Sequence, residues 1–126
     1  MHIAVTGATG FLGRYIVRQL AGSGHRLRCW FRPNSDRSGL DDSRAVQWLP
    51  GQLGENRSTT ELVRDVDAVV HSALNWQRQG GFRASAGDEL IPFAEANLMG
   101  SLKLFQAAHS AGVPRFIFIS TCAVHE

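Results

Sequence analysis

The sequence predicts an α/β fold: an open parallel sheet of about five strands, with crossover helices on both faces. Three observations predict it. Strand-like and helix-like patterns alternate along the 126 residues, an order that pairs strands in parallel through crossover helices. Segments such as Asp67-Ala68-Val69-Val70-His71 and Phe116-Ile117-Phe118-Ile119 are apolar on both faces, as strands covered from two sides should be. Gly24 and Gly112 stand where helices should stop, and Pro114 forbids further helix.

Taken in order, period and punctuation place strands at His2–Thr6, Arg26–Phe31, Ala45–Leu49, Ala68–His71 and Arg115–Ser120. Helices are expected at Phe11–Ser23, near Thr59–Val63, and from about Leu90 to Ala111. Asp88 or Ser85 caps the start of the last helix. Along it Ile91, Ala94, Leu98, Leu102, Phe105 and Ala108 recur at three and four residues, a stripe predicted to face the core. Two stretches read as loops, Arg32–Arg44 and Asn75–Gly87. Loops at the carboxyl ends of parallel strands are where open sheets bind ligands. No internal repeat or linker is visible, so residues 1–126 are expected to form one domain.

Composition narrows the partners. Apolar residues make up 44% and net charge is only +2, with the basic side chains scattered rather than gathered in a stripe, so nucleic acid is not an expected partner. No apolar run approaches the roughly 20 residues that a membrane helix needs, and no basic-then-apolar leader opens the chain; a cytoplasmic location without membrane contact is expected. Cys29 and Cys122 lack a Cys-x-x-Cys spacing, and the histidines at 2, 25, 71, 109 and 125 lack ligand spacing. Two reduced thiols and no metal are expected.

The chemistry lies at the front of the chain. Val5-Thr6-Gly7-Ala8-Thr9-Gly10-Phe11-Leu12-Gly13 follows an apolar strand and opens a helix. Gly7 allows the tight turn, Gly10 keeps side-chain bulk away from an incoming pyrophosphate, and Gly13 lets the helix pack closely. The free N–H groups and the positive helix end then meet the anion. This pattern is that of a dinucleotide-binding turn, with Thr6, Gly7, Thr9, Gly10, Phe11, Leu12 and Gly13 as candidate contacts. The residue ending the second strand, about 20 positions past the glycines, meets the adenosine ribose. Here Phe31 and Arg32 stand there and no carboxylate does, and a guanidinium can fork onto a 2′-phosphate, so NADP is expected over NAD.

These residues resemble the extended branch of the short-chain dehydrogenase/reductase superfamily, the nucleotide-sugar epimerases, dehydratases and related reductases. The turn at 6–13 is similar to that family's form of the motif. The stretch 65–73 resembles its fourth strand, whose end approaches the cofactor; this implies contacts from Ser72, Ala73 and Leu74. Asn97 in Asn97-Leu98-Met99-Gly100 resembles the asparagine that bonds main chain beneath the active site, which adds Asn97 to the candidate cofactor-site residues. Phe118-Ile119-Ser120-Thr121 resembles the fifth strand and catalytic loop, with Thr121 at the catalytic Ser/Thr position. Gln52-Leu53 stands where the family usually has Asp-Leu against adenine, while His125 and Glu126 replace a frequent aromatic residue and a usual glycine.

The resemblance implies a Rossmann-type sheet in the order 3-2-1-4-5, truncated after strand five. It also implies an acid/base tyrosine and a lysine in Tyr-x-x-x-Lys, which is missing: the chain has one tyrosine, Tyr15, and one lysine, Lys103. The expectation is a cofactor-binding amino-terminal part, without its small-molecule substrate-binding half and inactive alone. An alternative is a non-catalytic NADP sensor or a module completed by a partner; a third reading makes His71 and His125 acid/base groups. An uncovered fifth strand, or the helix Leu90–Ala111, is expected to drive self-association.

Overall fold

The computed structural model describes residues 1–40, 44–75 and 90–120. Five strands form one parallel sheet: β1 (His2–Thr6), β2 (Arg26–Phe31), β3 (Val46–Pro50), β4 (Ala68–His71) and β5 (Phe116–Phe118). Their order is β3-β2-β1-β4-β5, as the Rossmann-type expectation requires. The helices are α1 (Phe11–Gly22), α2 (Asn56–Leu62), α3 (Leu90–Ala94) and α4 (Gly100–Ser110), with a π-helical turn at Glu95–Met99 joining the last two.

Alternation along the central strands divides the core between the two faces of the sheet. Ile3, Val5, Leu27, Cys29, Ala68 and Val70 pack with Val17 of α1 on one face. Ala4, Trp30, Leu49 and Val69 pack with Leu62 of α2 and Leu104 and Ala108 of α4 on the other. All four residues of β4 are buried; Ala68, Val69 and Val70 are apolar, as a strand covered on both faces requires, and His71 is buried with a hydrogen-bond partner at each ring nitrogen. Leu40, in the segment read as loop, is only 3% exposed and joins the first cluster, anchoring the chain after β2.

Local chemistry explains the element ends. After α1 the His25 N–H reaches Leu20 O at 3.1 Å, and after α4 the Val113 N–H reaches Ala108 O at 3.0 Å, so both predicted glycine stops close as Schellman turns. Helix α2 begins three residues before the predicted start at Thr59, because the Ser58 hydroxyl bonds the Glu55 carboxylate at 2.6 Å and the Thr59 hydroxyl bonds Glu55 O at 2.6 Å. Hydrophobic period carries no record of such hydroxyl bonds. Arg28 reaches from β2 to the carboxyl end of α2, donating to the carbonyls of Glu61 (3.1 Å) and Leu62 (3.4 Å), so a charged strand residue caps a neighbouring helix.

The last helix runs from Leu90 to Ser110 as predicted, with a π-helical turn at Glu95–Met99 inside it that the period did not show. The predicted stripe is corrected in part: Ala108 is buried as expected, but Ile91, Leu98, Leu102 and Phe105 are each more than half exposed, and Leu104, outside the stripe, faces the sheet. The widened turn accommodates an extra residue and shifts the α3 face out of register with the α4 face. Strand β5 is shorter than predicted, and Ile117 and Phe118 are exposed, so among the described residues nothing covers that edge of the sheet.

The face correction has a measurable consequence. Leu104→Ala should cost about 2–5 kcal/mol in chemical denaturation because it opens a cavity under α4. Leu102→Ala, on the exposed side, should stay within about 0.5 kcal/mol; equal losses would restore the original stripe as the buried face.

Candidate cofactor site at the carboxyl ends of β1 and β4

In the order β3-β2-β1-β4-β5 the chain winds outward from β1 in one direction and then returns to add β4 on the other side. Connections therefore part between the carboxyl ends of β1 and β4, and the parting leaves a crevice. A cleft of about 860 Å³ occupies it, at the large end of the range for small-ligand sites.

The glycine turn forms its floor. Gly7 has φ +71°, and a Cβ there would lie 2.7 Å from Ala73 N, so a side chain would push β1 away from the end of β4. A Cβ on Gly13 would lie 1.9 Å from Gly7 O, so the first turn of α1 presses directly on the bend. Gly10 is different. Its added Cβ would meet only Gly7 O, at 3.2 Å, which leaves its outer side open to the cleft. Gly10 is also the N-cap of α1; it provides no side-chain cap, and no acidic residue stands in the first turn. The N–H groups of Phe11, Leu12 and Gly13 precede any intrahelical acceptor. An anion laid over Gly10 would meet those donors and the positive end of the helix.

Most predicted contacts converge on this cleft: Gly7, Thr9, Gly10, Phe11, Leu12, Gly13, Arg32, Gln52, Leu53, Ser72, Ala73 and Leu74 all line it. Two do not. Thr6 is fully buried behind the turn, and Asn97 works on the main chain below: its Oδ1 accepts from Asn75 N at 2.6 Å, and its Nδ2 donates to Asn75 O and Phe93 O, each at 3.0 Å. Thr121, His125, Glu126, Cys122, the caps at Ser85 and Asp88, and most of the loop Asn75–Gly87 lie outside the described residues.

Beneath the cleft runs a buried hydrogen-bond chain. The Ala73 N–H donates to Thr6 Oγ1 (3.3 Å), Thr6 Oγ1 lies 2.7 Å from His71 Nδ1, His71 Nε2 lies 2.8 Å from Ser101 Oγ, and Ser101 donates to Asn97 O. Because Ser101 gives its proton to a carbonyl, it accepts from His71, which assigns the Nε2–H tautomer and leaves Nδ1 to accept from Thr6. His71 is 1% exposed, between the rings of Phe116 and Phe118, and burial lowers its pKa from 6.5 to about 4. It is a neutral connector between β1, β4 and α4. That burial removes it from the acid/base role allowed for it above. Burial also pushes the Cys29 thiol up to about 12, so it stays protonated.

Phe31, read at the end of the second strand, lines the cleft too, while sequence reasoning missed Trp30, Ser35, Asp36, Gly51 and Asn75, which also line it. Gly51 passes so close to Trp30 that a Cβ would sit 2.5 Å from the indole nitrogen. Asp36 corrects a premise: no carboxylate ends β2, but the following loop brings one to the wall, paired with Arg14 at 3.1 Å. Only the turn-forming composition of Arg32–Arg44 hinted at a wall there. Among the described residues no group of His, Cys, Asp and Glu could hold a metal ion, and no helix is long and apolar enough to cross a membrane.

A parallel sheet in this order, with a glycine bend opening α1 at the switch point, defines a dinucleotide-binding Rossmann domain. Comparison with known proteins gives its family. Residues 3–126 match the model of the NAD dependent epimerase/dehydratase family, and the chain belongs to it. It is 34% identical over 121 residues to sterol demethylase protein B of Methylococcus capsulatus, covering 96% of this chain and 34% of that one. It is 35% identical over 124 residues to ceramide reductase of Caulobacter vibrioides, covering 98% and 36%. The chain thus spans about a third of the length of these two relatives. A short-chain dehydrogenase/reductase superfamily protein from Agrobacterium tumefaciens, solved with bound NAD, superposes with a TM-score of 0.73 at 26% identity, covering 96% of this chain and 33% of that one.

His71 gives the fold a pH dependence. With its folded pKa below the ordinary value, the unfolded chain takes up the proton first, so the contribution is complete above pH 6.5 and is lost as pH falls toward 4. The loss should amount to on the order of 3 kcal/mol. Denaturation midpoints between pH 7 and 4.5 should fall in the unmodified chain and flatten in His71→Gln.

Proposed function

We propose that this chain binds NADP(H) in the cleft at the β1–β4 switch point and forms the cofactor-binding part of an extended short-chain dehydrogenase/reductase. The observation that carries it is the uncapped α1 terminus over Gly10, set in a crevice whose other walls are the end of β4 and the loop after β2. The pyrophosphate lies on the N–H groups of residues 11–13, the adenine lies toward Gln52 and Leu53, and the nicotinamide side lies along Ser72, Ala73 and Leu74. Arg32 receives the 2′-phosphate. When bound, the nicotinamide supplies hydride exchange; this chain's residues bind and orient it.

By itself the 126-residue chain turns over nothing. Tyr15 lies on the exposed side of α1, ring-to-ring with Phe11 at 5.6 Å, and Lys103 is exposed on α4, so neither forms the Tyr-x-x-x-Lys dyad. Acid/base help of about 10²–10⁴-fold is therefore missing from these residues. The substrate class is a small molecule, met in the cytoplasm.

A second reading, a non-catalytic NADP sensor or partner-completed module, is favoured by one observation. Leu98, Leu102 and Phe105 of the last helix and Ile117 and Phe118 of β5 are all exposed. On either reading the isolated chain self-associates through the β5 edge or this helix. Sedimentation should show concentration-dependent oligomers, and a strict monomer at high concentration would count against it.

Cofactor binding is tested by titrating NADPH fluorescence. Gly10→Asp should abolish binding, since a carboxylate both fills the open side and repels the pyrophosphate. Arg32→Asp should move preference toward NADH by about 1–3 kcal/mol. Tighter NADH than NADPH binding by the unmodified chain would remove Arg32 from this role.

A further inference from the structure

Arg14 directly follows the last glycine of the bend, yet its guanidinium is spent on the loop after β2. Its Nε–H donates to Thr9 O at 3.2 Å, Nη1 donates to Ser38 O at 2.8 Å, and Nη2 donates to Asp36 O and lies 3.1 Å from Asp36 Oδ2. One side chain therefore ties the phosphate bend to the segment carrying Arg32 and Asp36, both on the cleft wall. Within that segment the Arg32 N–H bonds Ser35 Oγ at 3.0 Å and the Ser35 N–H bonds Arg32 O at 2.8 Å, so the loop is internally braced as well.

The charges set a problem that Arg14 answers. The Ser38 N–H at 2.9 Å, then the Ser38 side chain and Arg14, hold the Asp36 carboxyl below its usual range, so it is ionised. Its side chain is 72% exposed, and Asp36 lines the same cleft as Arg32. Unpaired, that carboxylate would repel a 2′-phosphate and tolerate a 2′-hydroxyl. An exposed ion pair alone would be too weak and too mobile to cancel it reliably. Arg14 is only 21% exposed and is fixed by three main-chain carbonyls, so its charge stays beside Asp36 whether or not a ligand is present.

We infer that Arg14 is a positioning residue for cofactor choice: by cancelling the Asp36 charge and holding the Arg32 loop against the bend, it admits a 2′-phosphorylated dinucleotide. This rests on the cleft taking NADP(H), as proposed above. Arg14 touches no phosphate in this account. It acts through the loop, so its loss should separate the two cofactors instead of weakening both.

The test measures NADPH and NADH dissociation constants by fluorescence for the full 126-residue chain and its variants, with circular dichroism to verify folding. Arg14→Gln should weaken NADPH about tenfold and NADH less than about threefold. Arg14→Gln combined with Asp36→Asn should regain about half or more of the lost NADPH affinity on a logarithmic scale, because the uncancelled charge is gone. Arg14→Lys keeps the charge without the fork and should show the same selective loss, smaller in size, which preserves the test if Arg14→Gln does not fold. Equal weakening of both nucleotides, no weakening, or no recovery in the double variant overturns the inference. Failure of the unmodified chain to bind either nucleotide overturns the binding reading itself, a distinct outcome.

Discussion

The site depends on a single steric constraint, the closeness of three main-chain segments at the end of β1. The bend at Gly7 lies against the end of β4, and the first turn of α1 lies against the bend at Gly13, with no room for a side chain at either place. This closeness aims the helix terminus into the crevice between β1 and β4. A side chain at Gly7 or Gly13 would move the donors at Phe11–Gly13 away from that crevice, and hydrogen bonds weaken steeply with such misalignment.

Behind the bend, polar groups do what apolar packing cannot. Thr6, His71 and Ser101 form a buried run of hydrogen bonds joining three elements, and Asn97 holds both main-chain groups of Asn75. A satisfied polar chain of this kind permits one register, because a slipped strand or rotated helix would leave buried donors unpaired. It also accounts for the π-helical turn. Asn97 lies within that turn, bonded across to the chain after β4, so the helix distorts where its side chain is anchored.

Distortion at Asn97 has a consequence for the surface. With Leu104 and Ala108 on the sheet, the apolar residues Leu98, Leu102 and Phe105 are left exposed, Phe105 with its ring 5.2 Å from that of Phe116 in β5, and among the described residues nothing covers the outer edge of that strand. An exposed apolar helix next to an open sheet edge is a surface suited to being covered.

Much was determined by the sequence by itself: five strand positions to within a few residues, the helix stops at Gly24 and Gly112, and the bend at Gly7–Gly13. Those features are local, arising from hydrophobic period, backbone freedom at glycine and the missing N–H of proline, so a linear reading reaches them. Which face of α4 packs, where the helix widens, and how β5 ends were decided only by tertiary structure. A side-chain bond from Asn97 to a residue 22 positions earlier overrode the period. The same holds for the cleft's loop wall: Asp36 carries no spacing signal, and its place came from Arg14, which lies far away in sequence and adjacent in space. Electrostatics at a site follow from distances, and distances between loops exist only after the chain has folded.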